Sequence, residues 1–307
     1  MQLNLHLLRI FFEVVRQNGF SRAAEKLFIS QPAVSKAVRE LERLLDLPLL
    51  ERPAGGPRGV RLTDAGAGLF EHARSIFALE RAALEDVQAR TDRKRGRLIL
   101  GASTTIAGYW LAPCLAAMLD DAPDIDVRVQ VGNTAAIERA LIDCEIDAAL
   151  VEGPVHDERI DVAHWRDDPM CVVAGTATGT ATDIPDGSDR RHRIDAAALS
   201  RQTWLMRESG SGTREVAETF LAAHAITPAR TVEIGSNEGI ARAVATGLGI
   251  ALLPRCVVRE LLTIGSVRTI PFAAEAPLAR PLYRIRLRDR PASPLLTRWH
   301  EVLARGC

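Results

Sequence analysis

The chain has 307 residues, too many for one small domain, and its 47% hydrophobic and 25% charged content is that of a folded globular protein. Lysine plus arginine (39) equals aspartate plus glutamate (39), so global charge by itself points to no polyanionic partner. The charge is unevenly spread, however. Up to Leu62 there are ten basic residues (Arg9, Arg16, Arg22, Lys26, Lys36, Arg39, Arg43, Arg52, Arg58, Arg61) against six acids (Glu13, Glu25, Glu40, Glu42, Asp46, Glu51). The head is mildly basic, and the stretch from Asp120 to Asp161 is acidic.

The opening MQLNLHLLRIFF has no basic region leading into an apolar run and cleavage site, so no secretion signal is read there. No apolar stretch reaches membrane-spanning length, and a cytoplasmic protein with no membrane partner is expected. Cys114, Cys144, Cys171, Cys256 and Cys307 are odd in number and scattered, with no Cys/His spacing that suggests zinc. Reduced thiols and no cofactor are expected.

Leu3 to Asn18 carries Leu7, Leu8, Phe11, Phe12 and Val15 at helical spacing. Gly19 is placed in the left-handed position that ends this helix. Ser21 is a candidate cap for the next, with Ala23, Ala24, Leu27 and Phe28 toward the core. Ser30 caps a third helix, with Pro32 in its first turn, where a missing N–H costs nothing. Val34, Ala37, Val38, Leu41, Leu44 and Leu45 form its buried stripe. Gln31, Ser35, Lys36, Arg39 and Arg43 lie on the opposite face. A short apolar piece (47–50), a turn-rich loop (52–59) and Val60-Arg61-Leu62 read as a two-stranded wing. Thr63 caps a long helix to about Arg90. Its stripe of Leu69, Ala73, Ile76, Phe77, Leu84 and Val87 calls for a partner helix. The charged Thr91 to Arg97 reads as a hinge.

From Leu98 strands and helices alternate. Strands are expected at 98–101, 127–131, 148–151, 168–174, 204–206, 231–234 and 250–253, with helices at 104–119, 134–143, 213–224 and 238–246. This α/β pattern implies mostly parallel sheets, which bind ligands beyond the carboxyl ends of their strands. Low complexity is confined to Ala174 to Asp189.

Several residue types recur at fixed offsets in the first ninety positions: Phe12, Val15, Gly19-Phe20-Ser21, Ala23-Ala24, Leu27, Ser30-Gln31-Pro32-Ala33-Val34-Ser35, Leu41-Glu42, Leu45, Arg52, Leu62-Thr63 and Ala65-Gly66. With them the chain resembles the LysR-type transcriptional regulators. It departs from the family at Asp46, where Gly usually follows the third helix, and at Leu50, where the wing usually has Phe. The resemblance implies a winged helix-turn-helix with a long linker helix, then a two-subdomain α/β effector domain resembling type 2 periplasmic binding proteins. The corresponding division is 1–62 for DNA binding, 63–90 for the dimerising linker, 91–97 for the hinge, 98–162 with 268–302 for subdomain I, and 163–267 for subdomain II. The chain would cross between subdomains near Val162 and Val267. Implied partners are double-stranded promoter DNA, a second copy in a homodimer or homotetramer, and a small-molecule effector, with RNA polymerase a further candidate.

Helix-turn-helix proteins insert the start of the second helix of the motif into the major groove. Gln31 and Ser35, one turn apart, can reach base edges, and Lys36 and Arg39 can reach bases or phosphates. Arg52, Arg58 and Arg61 on the wing are phosphate candidates, although a solvated polar surface is an equal alternative for each.

Trp204 to Thr213 (WLMRESGSGT) is a strand followed by a glycine-serine loop that opens a helix. Arg207, Ser209, Ser211, Gly212 and Thr213 would supply a fixed cation, hydroxyls and free N–H groups to an anion. Ser103-Thr104-Thr105, Asn133-Thr134 and Ser236-Asn237 are similar strand-to-helix junctions. If all four face one cleft they make a small-anion pocket; otherwise they are ordinary helix caps. The loop and its companions resemble the branch of the family that regulates sulfur assimilation and carbon fixation. This implies a sulfite- or sulfate-like oxyanion, or a phosphorylated metabolite, as effector. No enzymatic role is expected: the seven histidines show no metal spacing or nucleophile partner, and Asp147 and Glu152 are weak acid–base candidates. The competing reading, a periplasmic-type solute-binding protein, leaves the first ninety residues unexplained.

Overall fold

The computed structural model describes residues 3–51, 59–91, 96–176, 196–271 and 278–307, and the chain divides into two units, Met1–Val87 and Gln88–Cys307.

In the first unit α1 (Leu5–Arg16) begins where the Asn4 side chain accepts from the N–H groups of His6 and Leu7. The left-handed residue after it is Asn18 (φ 49°), while Gly19 is extended, contrary to the expectation for Gly19. Next comes α2 (Phe20–Leu27), so Ser21 lies inside the helix and does not cap it. Phe28 sits at the left-handed end of α2 and is 94% exposed, not buried as its spacing suggested. The left-handed turn swings its side chain off the helical stripe. Ser30 caps α3 (Gln31–Leu45) by accepting from the Ala33 N–H. Asp46 is left-handed (φ 53°), which explains why glycine suits this position. Leu50 and Leu62 form an antiparallel bridge at the base of the wing.

Thr63 precedes α4 (Asp64–Thr91), accepting from the Gly66 N–H and donating to the Pro48 carbonyl. A Cβ on Gly66 would lie 2.0 Å from the Leu49 carbonyl oxygen, so close passage of the wing demands glycine. The first half of α4 packs on its own chain, contrary to the expectation that the whole stripe needs a partner. Ala73 and Phe77 are buried, and Phe12 packs between Phe70 and Phe77 with ring centroids 5.2 and 5.3 Å away. Farther along, Leu79, Leu84 and Val87 are exposed.

The second unit runs β1 (Arg97–Ser103), α5 (Thr104–Tyr109), α6 (Leu111–Asp121), β2 (Asp126–Gly132), α7 (Thr134–Ile142), β3 (Ala148–Glu152) and β4 (Ile160–Gly175). It continues with α8 (Ala196–Ser200), β5 (Thr203–Met206), α9 (Gly212–Ala223), β6 (Arg230–Glu233), α10 (Asn237–Ala245) and β7 (Ile250–Pro254). It closes with α11 (Arg255–Thr263), β8 (Val267–Thr269), β9 (Ala279–Leu287) and α12 (Pro294–Ala304). The strands order as β2-β1-β3-β9-β4-β7-β5-β6, with β8 on β4. The sheet is mixed rather than mostly parallel: β1 and β5 pair in parallel with their neighbours, whereas β3–β9, β9–β4, β4–β7 and β4–β8 are antiparallel.

The reason is the long strand β4. Its first part, to Pro169, pairs with β9, and its second, from Met170, pairs with β7. The chain therefore passes between the two halves near Asp168–Met170 and returns near Arg280, not at Val162 and Val267. Val267 still lies in the second half, on β8 beside Gly175. Each half packs apolar side chains on both sheet faces. Met118, Trp299 and Leu100 lie in one layer of the first half, and Ile137, Leu141 and Ile285 in the other. Trp204 and Phe220, and Val173, Val244 and Leu253, do the same for the second.

The thiol expectation fails for two residues: Cys114 of α6 and Cys307 are joined in a disulfide, 193 positions apart. Packing of α12 against α6 brings them together, a proximity that sequence spacing does not reveal. Cys171 and Cys256 are buried thiols, and burial pushes them up to about 11 and about 12.

Candidate DNA-binding and effector sites

The exposed face of α3 carries Gln31, Pro32, Lys36 and Arg39, with Ser35 half-buried beside them. Gln31 Nε2 donates to Ser35 Oγ at 2.9 Å, so the two side chains form one polar edge. Arg43 is held away by Glu40 through bonds of 2.6 and 2.9 Å, which leaves Lys36 and Arg39 as the cations nearest that edge. A concave surface of about 1070 Å³ runs beside α3, lined by Arg22, Ser35, Arg39, Glu42 and Arg61 among others. Arg61 is exposed beside the wing bridge. Arg52 and Arg58 lie outside the described residues. The α3 face is polar and net positive, the chemistry that meets base edges and phosphates in a major groove.

In the second unit the four strand-to-helix junctions contribute residues of two kinds. Ser103, Asn133 and Ser236 are true helix caps, accepting from the N–H groups of Ile106, Ala136 and Gly239. Thr104, Thr105, Thr134, Arg207, Gly212, Thr213 and Asn237 converge where the two halves of the unit meet. Asn237 Nδ2 donates to Thr105 Oγ1 at 2.8 Å and to Thr213 Oγ1 at 3.2 Å. Arg207 Nη1 lies 3.4 Å from Thr104 Oγ1. Thr134 donates to the Glu152 carbonyl at 2.7 Å, and a Cβ on Gly212 would lie 1.9 Å from that same oxygen. Ser211 is buried at the start of α9 and makes no side-chain cap bond there. Ser209 is exposed, outside the cluster.

Sequence reasoning missed Arg280, Asp168 and Glu208 here, and assigned Glu152 no part in this cluster. Arg280 is fully buried, donating twice to Asp168 Oδ2 at 3.0 and 2.9 Å and once to Thr213 Oγ1 at 2.7 Å. Its Nη1 is 3.4 Å from Glu152 Oε1. Burial raises the Asp168 carboxyl above its ordinary range, with Arg280 opposing the shift. Arg207, 2% exposed, grips the neighbouring Glu208 with a forked pair of bonds, both 2.8 Å. Burial works against the Glu208 anion, yet the bonds from Arg207 and Asn133 prevail and hold its carboxyl below the usual glutamate range. Two arginines thus face three carboxylates. Glu152 Oε2 and Asn237 Oδ1 are buried without a hydrogen-bond partner. Asp147 pairs with Arg290 at 2.6 Å and accepts from the Ile99 N–H, so it is not an acid–base partner of Glu152. Among the described residues, no group of three or more metal-ligating side chains occurs.

Residues 5–67 match the family described as bacterial regulatory helix-turn-helix protein, lysR family, and residues 91–307 match the LysR substrate binding domain. The RuBisCO operon transcriptional regulator of Allochromatium vinosum is 30% identical over 305 residues, covering 99% of this chain and 96% of that one. A full-length OxyR variant from Pseudomonas aeruginosa superposes with a TM-score of 0.70 at 26% identity, over 99% of this chain and 94% of that one. The regulatory domain of CcmR from Synechocystis, solved in complex with 2-PG, gives a TM-score of 0.59 at 25% identity, over 68% of this chain and 96% of that one. The chain belongs to the LysR family of transcriptional regulators, with an N-terminal helix-turn-helix and an α/β effector-binding domain.

Proposed function

We propose that the protein binds promoter DNA through α3 and that a small anion in the cleft of the second unit sets the strength of that binding. Ser30 and Pro32 start the helix, Gln31 and Ser35 read base edges, Lys36 and Arg39 meet bases or phosphates, and Arg61 meets phosphate. The exposed Leu79, Leu84 and Val87 on α4 face a second copy in a dimer, and dimers pair into a tetramer. As a reader of promoter DNA the protein works in the cytoplasm. The solute-binding alternative gives α1 to α4 no purpose.

The observation that carries the anionic effector is the Arg207 site. A buried guanidinium that grips a carboxylate by forked bonds, beside Asn133 and Thr104, has the donor geometry for sulfite, sulfate or a phosphoryl group. The 2-PG in complex with the CcmR regulatory domain fits the same class. An effector acts if it prefers one of two states of the protein, so its binding and DNA binding are linked reciprocally.

A thermal-shift screen of sulfite, sulfate, phosphate and sugar phosphates tests this reading, because a ligand of the folded state raises stability. At least one of these anions stabilises the wild type and fails to stabilise Arg207→Ala. A stabilising anion whose effect survives the substitution removes Arg207 from the site.

A further inference from the structure

We infer that Glu208 is a built-in occupant of the anion site, a carboxylate that holds the place of the effector and that the effector must displace. The inference rests on the anionic-effector reading above.

Arg207 and Glu208 leave the end of β5 together, and the guanidinium is 1% exposed while the carboxylate is 26% exposed. Both carboxylate oxygens are engaged. Oε2 accepts from Arg207 Nε, and Oε1 accepts from Arg207 Nη2 at 2.8 Å and from Asn133 Nδ2 at 3.2 Å. Asn133 belongs to the first half of the unit and Arg207 to the second. The Glu208 carboxylate therefore bridges the two halves, as an oxyanion held by the same donors would. Next to it, the Ala135 N–H donates to the Gly210 carbonyl at 3.0 Å across the same seam. A Cβ on Gly210, which is left-handed at φ 81°, would lie 2.8 Å from Ala135 Cβ, so the loop is seated closely against the start of α7.

The buried Arg280 does not compete for this role. Arg280 is saturated by Asp168, Thr213 and Glu152, all buried with it. An incoming anion therefore finds its forked donor at Arg207, and that donor already holds Glu208. The partly exposed Glu208 can rotate to water when displaced, whereas the buried Arg207 cannot follow it. The exchange replaces one anion by another on the same donors, so the buried Arg207 guanidinium is never left without a countercharge. The residue sets the effector concentration at which the protein responds. A site whose free form is populated one time in ten binds about tenfold more weakly than the open site. Only ligands that outbid a carboxylate qualify, which favours divalent oxyanions and phosphoryl groups over simple monocarboxylates.

The test is isothermal titration of sulfate, and separately of phosphate, into the full-length wild type, Glu208→Ala, Glu208→Gln, Arg207→Ala and the Arg207→Ala/Glu208→Ala double variant. Dissociation constants in Glu208→Ala are expected to fall by about tenfold or more, with Glu208→Gln changing in the same direction, and binding is lost in both variants without Arg207. If Glu208→Ala binds within about twofold of the wild type while Arg207→Ala binds nothing, the displacement inference is overturned and the anion site stands. If neither wild type nor either Glu208 variant binds any anion of the panel, the anion site itself is refuted, and the inference with it. Should Glu208→Ala fail to fold, Glu208→Gln, which keeps the shape and removes the charge, decides alone.

Discussion

Replacing Arg280 with methionine removes the countercharge from two buried carboxylates. The guanidinium is fully buried and bonds Asp168 twice, at 3.0 and 2.9 Å, with Glu152 3.4 Å away. Methionine fills most of the volume, so the loss is chiefly electrostatic. Removing one partner of a buried ion pair costs about 3–5 kcal/mol, because the other charge is stranded. A stranded carboxylate can escape by taking a proton. From a reference pKa near 3.9 this costs about 4 kcal/mol at pH 7 and about 1.5 kcal/mol at pH 5, which caps the penalty per group. The sign is therefore fixed. The variant's carboxylate pKa is raised in the folded state, so the deficit relative to wild type grows as pH rises from 5 to 7. All four tryptophans (Trp110, Trp165, Trp204, Trp299) belong to the Gln88–Cys307 unit, so urea unfolding followed by tryptophan fluorescence reports that unit. We expect Arg280→Met to lose about 3–5 kcal/mol at pH 7 and clearly less at pH 5, with Asp168→Asn on top recovering part of the loss. A variant as stable as wild type at pH 7, or a deficit that deepens toward pH 5, refutes the reasoning.

Two other substitutions probe the frame around the sites. Gly66→Ala forces a methyl to within 2.0 Å of the Leu49 carbonyl, so the N-terminal unit should lose about 1–3 kcal/mol by far-UV circular dichroism; unchanged melting would show that the wing can shift freely. The Cys114–Cys307 bond closes a loop of 193 positions, for which the chain-entropy relation gives an upper stabilisation of about 5 kcal/mol. Dithiothreitol or Cys307→Ser should therefore lower the urea midpoint of the effector unit. Alkylation of both thiols in the native protein without reductant would contradict the bond.

The DNA-binding unit was legible because its determinants are local. Ser30, Pro32 and the Val34–Val38–Leu41 stripe specify α3 within one stretch of chain, and the structure adds detail at the turns. The misreadings there share a cause: Asn18 and Phe28 are left-handed non-glycine residues, and helical spacing assumes the helix continues. The polar cluster between the two halves of the second unit was half legible. Thr105, Thr134, Arg207, Thr213 and Asn237 sit at junctions that sequence grammar marks. Arg280 and Asp168 carry no such mark. They meet because β4 and β9 pair antiparallel in the first half and set Asp168 opposite Arg280, 112 positions away. Glu208 was in plain view beside Arg207, yet a charge next to a charge reads as solvated until both carboxylate oxygens are seen to be engaged. At the four junctions Ser103, Asn133 and Ser236 also cap their own helices, and the Asn133 amide additionally donates to Glu208.

Anion-controlled DNA binding is tested most directly by fluorescence anisotropy of the full-length protein on a duplex selected from genomic fragments. Sulfite, sulfate, phosphate and sugar phosphates are each added at ionic strength matched with chloride, because phosphate contacts make the affinity salt-dependent. At least one anion is predicted to change the dissociation constant by about fivefold or more, with no change in Arg207→Ala. An affinity that none of these anions alters, or an equal shift in Arg207→Ala, would contradict it.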